Sequence, residues 1–127
     1  MSCLLWYDED DENYKIKLEQ LLKVSNPKEV IKNAQNYFND PDIKVYLSKR
    51  KDKKYSIYDP NNKKLIHFGN INYEDYTKHK NLLRRENYIK RASNIKGNWK
   101  ENPYSANSMS INLTWNWKAN NNILIYI

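Results

Sequence analysis

Three side chains in one short stretch have types that could act on a phosphodiester. Asp75, His79 and Arg84 bring a carboxylate, an imidazole and a guanidinium close together in the sequence. Phosphodiester cleavage needs a general base and a cationic clamp, and these groups could supply both. The alternative is structural: His79 makes a hydrogen bond, to Asp75 or Thr77, that fixes its loop. We favour the structural interpretation and keep phosphodiester processing as a third hypothesis for the function.

The motifs that accompany common enzyme chemistry are absent from the sequence. It has no P-loop, no HExxH, no GxSxG and no Cys/His cluster, and Cys3 is its one cysteine. A metal set of His67, His79 and Asp75 is a less favoured hypothesis. The acidic run at 8–12 suits a helix N-terminus better than a metal, because adjacent acids on a helix point in different directions. We therefore predict no catalytic site, no metal site and no cofactor.

A basic stripe is the stronger chemical signal. The spacing predicts a helix over 80–94, on which Lys80, Arg84 and Arg91 share one narrow stripe with Asn87. Tyr88 lies about 60° from the stripe, at about 100° per residue, within reach for stacking on a base. Phosphate contact is one interpretation and ordinary solvated surface is the other. The predicted nucleic-acid-binding residues are Lys78, Lys80, Arg84, Tyr88, Arg91 and Lys96.

The charge of the chain favours an acidic partner. The 127 residues carry a net charge of +7, with a pI of about 9.4. The first 24 residues hold six acids and three bases, so the remainder carries +10. An AT-rich genome would also enrich Lys and Asn without any functional reason, which weakens this argument. The sequence has no signal peptide pattern, and its apolar C-terminal run is too short to cross a membrane. We expect a soluble intracellular protein.

Two helices are predicted at the N-terminus. Tyr14, Leu18, Leu21 and Leu22 recur at helical spacing and mark one apolar face. Asn26-Pro27-Lys28-Glu29 then opens a second helix, with Asn as the cap and Glu29 at the capping-box position. Asn39-Asp40-Pro41-Asp42 ends it. These residues form a helical hairpin over 1–42.

A three-stranded antiparallel meander is predicted over 43–68. Ile43, Val45 and Leu47 alternate with polar residues, 55–58 forms a second strand, and 65–68 forms a third strand that Gly69 ends. Asp59-Pro60-Asn61-Asn62 is a turn signal. The basic connection at 49–54 is either a solubilising hairpin tip or a phosphate-binding one. The predicted core face consists of Ile43, Val45, Leu47, Ile57 and Phe68.

The C-terminal half is predicted to be helical. Asn72 is expected near positive φ in a tight reversal, and Asp75 is expected to be held by backbone amides or by an arginine. Arg85 and Leu82 fall on the packed side of helix 80–94, with Arg85 as an ion-pair partner, for example of Asp75. Ser105 caps a last helix that runs through Trp115. The fold class is α+β in one domain over 1–127, with a sheet and basic helix module at 43–117 and a tail or edge strand at 118–127.

A motif runs from the end of the meander into the basic helix. Phe68-Gly69, Tyr73-Glu74-Asp75-Tyr76-Thr77-Lys78-His79-Lys80, Arg84, Tyr88, Arg91 and Leu113-Thr114-Trp115-Asn116 keep a pattern of the form FGxxxYxDYTxHK followed by arginines and a final WN. Over residues 54–117 it resembles a family of small basic proteins of unknown function from nucleocytoplasmic large DNA viruses. Asn72 stands where that family has Gly. We interpret the motif as structural first, holding helix 80–94 against the sheet, with the residues Phe68, Gly69, Asn72, Tyr73, Asp75, Tyr76, Thr77, His79 and Arg85.

The resemblance implies a viral protein located in the virion or in the host cytoplasm, at the virus factory. The favoured function is non-catalytic binding of nucleic acid through phosphates, without sequence specificity. The alternative is a structural or interaction protein of the virion, a minor capsid or core component that contacts other virion proteins. We expect no membrane contact, and the oligomeric state is open.

Overall fold

The computed structural model describes residues 12–117. The expectations for residues 8–11 and for the tail or edge strand at 118–127 lie outside the described residues.

Two helices come first, α1 over Glu12–Val24 and α2 over Pro27–Tyr37, which confirms the predicted N-terminal helices. Leu21 is fully buried, whereas Leu22 is 48% exposed, so the predicted apolar face was one residue too wide.

The start of α2 is held by a distant residue instead of by its predicted capping box. The Asn26 side chain makes no capping hydrogen bond, and its backbone N–H donates to Thr77 Oγ1 at 2.9 Å. The Glu29 carboxylate bonds Lys80 and accepts from Asn116 Nδ2 at 2.8 Å. The capping-box prediction was therefore wrong: the Asn26 side chain does not cap the helix, and the Glu29 carboxylate bonds Lys80 and Asn116 instead of the Asn26 N–H.

The described sheet has three antiparallel strands in the order β1-β2-β3: Tyr46–Leu47, Lys53–Asp59 and Lys64–Asn70. This confirms the meander. β1 is shorter than predicted, since Ile43 and Val45 precede it. β3 continues through Gly69, so Gly69 does not end the strand. Asp59 Oδ1 accepts the amide N–H of Asn61 at 2.9 Å, which forms the predicted turn.

The core lies between the sheet and the helices that cover it. Tyr55 pairs with Phe68 and Ile57 pairs with Ile66 across β2 and β3, so Tyr55, Ile57 and Phe68 lie on one face of the sheet. α2 packs against Ser110–Thr114, which closes the core. The core residues are Leu21, Val30, Ile31, Ala34, Val45, Leu47, Tyr55, Ile57, Phe68, Met109 and Leu113. The predicted core positions Val45, Leu47, Ile57 and Phe68 are confirmed.

The C-terminal half contains α3 over Tyr76–His79 and α4 over Leu82–Ser93. A 3₁₀ turn at Trp99–Glu101 precedes α5 at Ala106–Met109, where Ser105 Oγ accepts from Ser108 N at 3.1 Å as predicted. The chain then changes to a π-helix over Ser110–Thr114. The order of helices, sheet and helices confirms the α+β fold class.

Candidate functional site

A buried ion pair lies at the centre of the motif. Lys54 Nζ donates to Asp75 Oδ2 at 3.0 Å, and the two side chains are 3% and 1% exposed. Thr77 Oγ1 donates to Asp75 Oδ1 at 2.5 Å. Burial lowers the pKa of Lys54, although the Asp75 carboxylate opposes that shift. The Asp75 carboxylate is thus bonded by the Lys54 ammonium and the Thr77 hydroxyl. The prediction that backbone amides or an arginine hold this carboxylate was wrong.

Gly69 leaves room for the Lys54 side chain to reach Asp75. A Cβ at Gly69 would lie 3.2 Å from both Cβ and Cδ of Lys54, and the φ of Gly69 is +81°. Both facts favour glycine at this position. The neighbouring Phe68 is buried in the core. In the Phe-Gly pair of the motif, Phe68 therefore packs in the core and Gly69 leaves space for the buried Lys54 side chain.

The Asp75 cluster joins the connection between α1 and α2 to the sheet. We define this cluster as Ser25, Lys54, Tyr55, Asp75 and Thr77. The Asp75 backbone N–H donates to Val24 O at 3.0 Å, and Ser25 Oγ lies 2.5 Å from Tyr55 Oη. Burial raises the pKa of Tyr55 well above its ordinary value, so its hydroxyl stays neutral. These contacts hold the connection between α1 and α2, whereas we had predicted that the motif holds helix 80–94.

Arg85, also a residue of the motif, holds α4 to residues 115–117 and not to the sheet as predicted. It is 3% exposed, and its Nε donates to Trp115 O at 3.0 Å. Its Nη2 donates to the carbonyls of Asn116 and Trp117 at 3.2 and 3.3 Å. The prediction that Arg85 is buried is confirmed. The prediction that it forms an ion pair was wrong, because its guanidinium donates to backbone carbonyl oxygens instead. α4 is thereby fixed to the chain that follows the π-helix.

The loop residues of the motif are placed differently from the prediction. Asn72 is not among the residues at positive φ, which are Asn39, Lys63, Gly69, Lys80, Gly97 and Asn116 within residues 12–117. The reversal instead uses Gly69 and an Asx turn, in which Asn70 Oδ1 accepts from Asn72 N at 2.9 Å. The centroid of the Tyr76 ring lies 5.3 Å from Lys80 Nζ and 5.7 Å from Arg85 Cζ.

His79 has a local partner and an aromatic neighbour. Its Nδ1 accepts from the Asn81 N–H at 2.9 Å, and its ring centroid is 5.2 Å from that of Trp115. The predicted loop-fixing role agrees with this bond, but the predicted partners, Asp75 and Thr77, were wrong. Burial, and then the charge of Arg84, lower the pKa of His79.

The predicted basic stripe is divided. Lys80 precedes α4, in a left-handed conformation with φ 58°, and pairs with Glu29. Lys78 Nζ donates to Leu22 O at 3.0 Å, and Lys96 lies beyond the end of α4. Of the three bases predicted on the stripe, Arg84 and Arg91 lie on α4, with Asn87 between them, and Lys80 does not. Leu82, predicted on the packed side, is 61% exposed.

Arg84 and Arg91 line a cleft of about 460 Å³ between α4 and the end of the sheet. Tyr88 also lines the cleft and stacks on Trp115, with ring centroids 4.2 Å apart and planes 7° apart. One face of Tyr88 is therefore occupied, contrary to the prediction that it is open for stacking. The lining residues are Lys54, Gly69, Asn70, Tyr73, Glu74, Arg84, Asn87, Tyr88, Arg91 and Trp115.

The arrangement does not assemble the chemistry first considered for Asp75, His79 and Arg84. Asp75 is 1% exposed and paired with Lys54, so it cannot reach a substrate as a base. Within residues 12–117 no three or more His, Cys, Asp or Glu side chains are grouped to hold a metal ion. His67, the remaining member of the metal set, has its Nδ1 2.7 Å from Ser48 Oγ.

Comparison with known proteins adds a partial match. Residues 43–92 match the model of a family of unknown function, DUF5754. The DUF5754 match covers the sheet, α3 and α4 up to its penultimate residue, but less than half of the chain. It includes Lys54, Gly69, Asp75, Arg84 and Arg91. No significant match is found among curated proteins or solved structures.

The DUF5754 segment holds most of the cleft, and Trp115 contributes from outside it. Within the segment, sequence reasoning missed Lys54, which was assigned to a hairpin tip. The contact between Gly69 and the Lys54 side chain depends on how β2 and β3 pair, so no local pattern in the sequence indicates it. None of the helices in the described part of the chain is both long and apolar enough to span a membrane.

Proposed function

We propose that the protein binds nucleic acid through phosphate contacts, without sequence specificity and without catalysis. The observation that carries this proposal is the pair of exposed arginines, Arg84 and Arg91, on the α4 wall of the cleft. They lie seven residues apart, or about 10 Å along the helix axis, so each guanidinium can contact a different phosphate. Asn87 lies between them on the same stripe.

A second basic element lies at the same end of the sheet as Gly69 and Asn70, although Lys49 and Lys51 line a separate pocket against α1. Lys53 pairs with Asn70 across β2 and β3, and the Ile71 N–H donates to Asp52 O at 3.0 Å. The exposed turn residues Lys49, Arg50 and Lys51 therefore lie at the same end of the sheet as the cleft. This position favours the phosphate-binding interpretation of the turn, because positive charge from two elements extends over one end of the molecule.

Glu74 is the acidic side chain in the cleft, and it would compete with a bound phosphate for the Arg84 guanidinium. Its Oε1 lies 3.3 Å from Arg84 Nη1, and the two side chains are 42% and 48% exposed. Exposed pairs of this kind contribute about 0–1 kcal/mol. A phosphate, which accepts charge-assisted hydrogen bonds from a guanidinium, can therefore replace the Glu74 carboxylate.

The test is a titration of fluorescently labelled DNA, followed by anisotropy at several salt concentrations. Arg91→Ala should weaken binding to all sequences alike, and it should reduce the salt slope by about 0.9 for each B-DNA phosphate that the variant no longer neutralises. Lys90→Ala is the matched control, because it removes the same charge from the neighbouring residue on a different side of α4. Lys90→Ala should leave affinity and slope unchanged.

Equal effects of Arg91→Ala and Lys90→Ala, with both folds intact by circular dichroism, would exclude the cleft as the binding surface. Absence of wild-type binding at low salt would exclude the function itself.

The second candidate is a structural or interaction protein of a viral particle. Adjacent apolar side chains favour it: Leu82 and Leu83 at the start of α4 are 61% and 66% exposed. A protein contact made by these leucines would depend little on salt, whereas phosphate contact weakens steeply with it. The viral origin and the virion or virus-factory location remain predictions of the resemblance, and locating the protein in purified particles tests them.

A further inference from the structure

The geometry points to an unpaired nucleotide of a single strand as the ligand of the cleft, an inference that rests on the proposed function. The protein would then bind single-stranded nucleic acid more tightly than a duplex of the same length. Three features of the cleft lead to this conclusion: its shape, its aromatic side chains and its polar groups.

The shape of the cleft suits one nucleotide better than a duplex. Its volume of about 460 Å³ falls within the range of about 300–1,000 Å³ for small-ligand sites. In a duplex the bases are stacked and paired inside a rod, and the phosphates lie on the outside. The rim of a concave site could contact those phosphates, but the bases could not enter the site. A single strand can turn a base into the cleft and keep its phosphates at the rim.

An exposed aromatic ring lies on the cleft beside the arginines. Tyr73 is 67% exposed, and it lines the same cleft as Arg84 and Arg91. Single-strand binding proteins combine a positively charged groove with aromatic side chains on which bases stack. Tyr88 and Trp115 stack on each other in the lining, which leaves Tyr73 as the exposed ring for a base.

The polar groups of the cleft can bind a base edge without selecting one base. The Asn87 side chain is exposed and lines the cleft, and an amide both donates and accepts. Asn70 contributes a second amide to the lining, with its Oδ1 already accepting from Asn72 N at 2.9 Å. A flexible amide suits any base, which agrees with binding that lacks sequence specificity.

The experiment compares a labelled dT20 oligonucleotide with a labelled 20-base-pair duplex at the same salt concentration. Wild type should bind dT20 more tightly than the duplex. Tyr73→Ala should weaken binding to dT20 about fivefold or more, the lower end of the range for one stacked base, and leave duplex binding unchanged. Tyr73→Phe keeps the ring and should retain the wild-type affinity.

Tyr58→Ala is the matched control. Tyr58 is also an exposed tyrosine, at 48%, but it pairs with Leu65 near the opposite end of β2 and β3. Its replacement should change neither affinity. Circular dichroism on each variant confirms that the fold is retained.

The outcomes separate the two proposals. Equal wild-type affinity for dT20 and duplex, with Arg91→Ala weakening both and Tyr73→Ala weakening neither, would overturn the single-strand inference and leave the proposed function standing. Binding of neither probe at low salt would overturn both. A weaker affinity for dT20 in Tyr73→Ala and in Tyr58→Ala alike would also overturn the inference, because the effect would not be specific to the cleft.

Discussion

The best-defined residue-level feature is the buried pair of Lys54 and Asp75. A buried ion pair is weak evidence for stability by itself, since desolvation offsets most of its attraction. Here its value lies in specifying contacts, because Asp75 also accepts from Thr77 and donates its backbone N–H to Val24 O. Removing one partner leaves the other charged, buried and without its counter-ion.

We expect Asp75→Ala to lower the free energy of unfolding by about 3 kcal/mol, where the ranges for an unpartnered buried group and for a broken buried ion pair meet. Urea unfolding followed by circular dichroism measures this change. Glu74→Ala is the matched control, because Glu74 is the neighbouring carboxylate and its side chain is 42% exposed. It should change the free energy by no more than about 0.5 kcal/mol. An unchanged urea midpoint for Asp75→Ala would contradict the assigned role.

At the scale of elements, the connection between α1 and α2 is held by a residue of α3. Thr77 Oγ1 accepts the Asn26 N–H at 2.9 Å and lies 3.3 Å from Ser25 Oγ. The connection between the two helices therefore depends on a distant segment of the chain. Removal of the Thr77 hydroxyl should loosen this connection before it affects the sheet.

We expect Thr77→Val to cost about 1–3 kcal/mol, because the Val methyl cannot replace the hydroxyl that serves Asn26 and Asp75. Amide hydrogen exchange should rise most at Asn26, and the amides of β2 and β3 should keep the protection set by global unfolding. Thr114→Val is a suitable comparison, since Thr114 Oγ1 bonds Ser110 O within its own helix, at 2.6 Å. Equal acceleration at Asn26 in both variants would rule out a specific role for Thr77.

At the scale of the whole molecule, acid should weaken the fold. Burial, then the charges of Arg50 and Lys17, lower the pKa of His67. Burial, then the charge of Arg84, lower the pKa of His79. The unfolded chain, with histidine pKa values near 6.5, thus binds protons more readily than the folded chain. The stability that these groups contribute is full above about pH 6.5 and is lost as the pH falls through that value toward the lowered pKa values.

The melting temperature at constant ionic strength should therefore be lower at pH 5.5 than at pH 7.5. The double variant His67→Asn, His79→Asn keeps an acceptor near each Nδ1 position and does not titrate in this range. Its melting temperature should change less between the two pH values than that of wild type. A wild-type melting temperature that rises on acidification would contradict the direction of both pKa shifts.

The sequence by itself determined the fold class and much of the core. Helical spacing before residue 40, alternation in the meander and turn chemistry at 59–62 are local signals, and each depends on residues that are close in the chain. The burial of Leu47, Ile57 and Phe68 follows from the same alternation. The periodicity of α4 also placed Arg85 correctly on the buried side of its helix, although it wrongly placed the exposed Leu82 there.

Only the tertiary structure decided which polar groups meet. Lys54 lies 21 residues from Asp75, and the partners of Arg85 and Glu29 lie 30 to 87 residues away along the chain, and no local pattern encodes such pairs. Lys80 does not lie on the predicted stripe, because it is itself the left-handed residue that ends α3 and it precedes α4. The cleft lies where side chains of α4 meet Lys54, Gly69 and Asn70 of the sheet. Spacing along one helix identified Arg84 and Arg91, but packing placed them beside Tyr73.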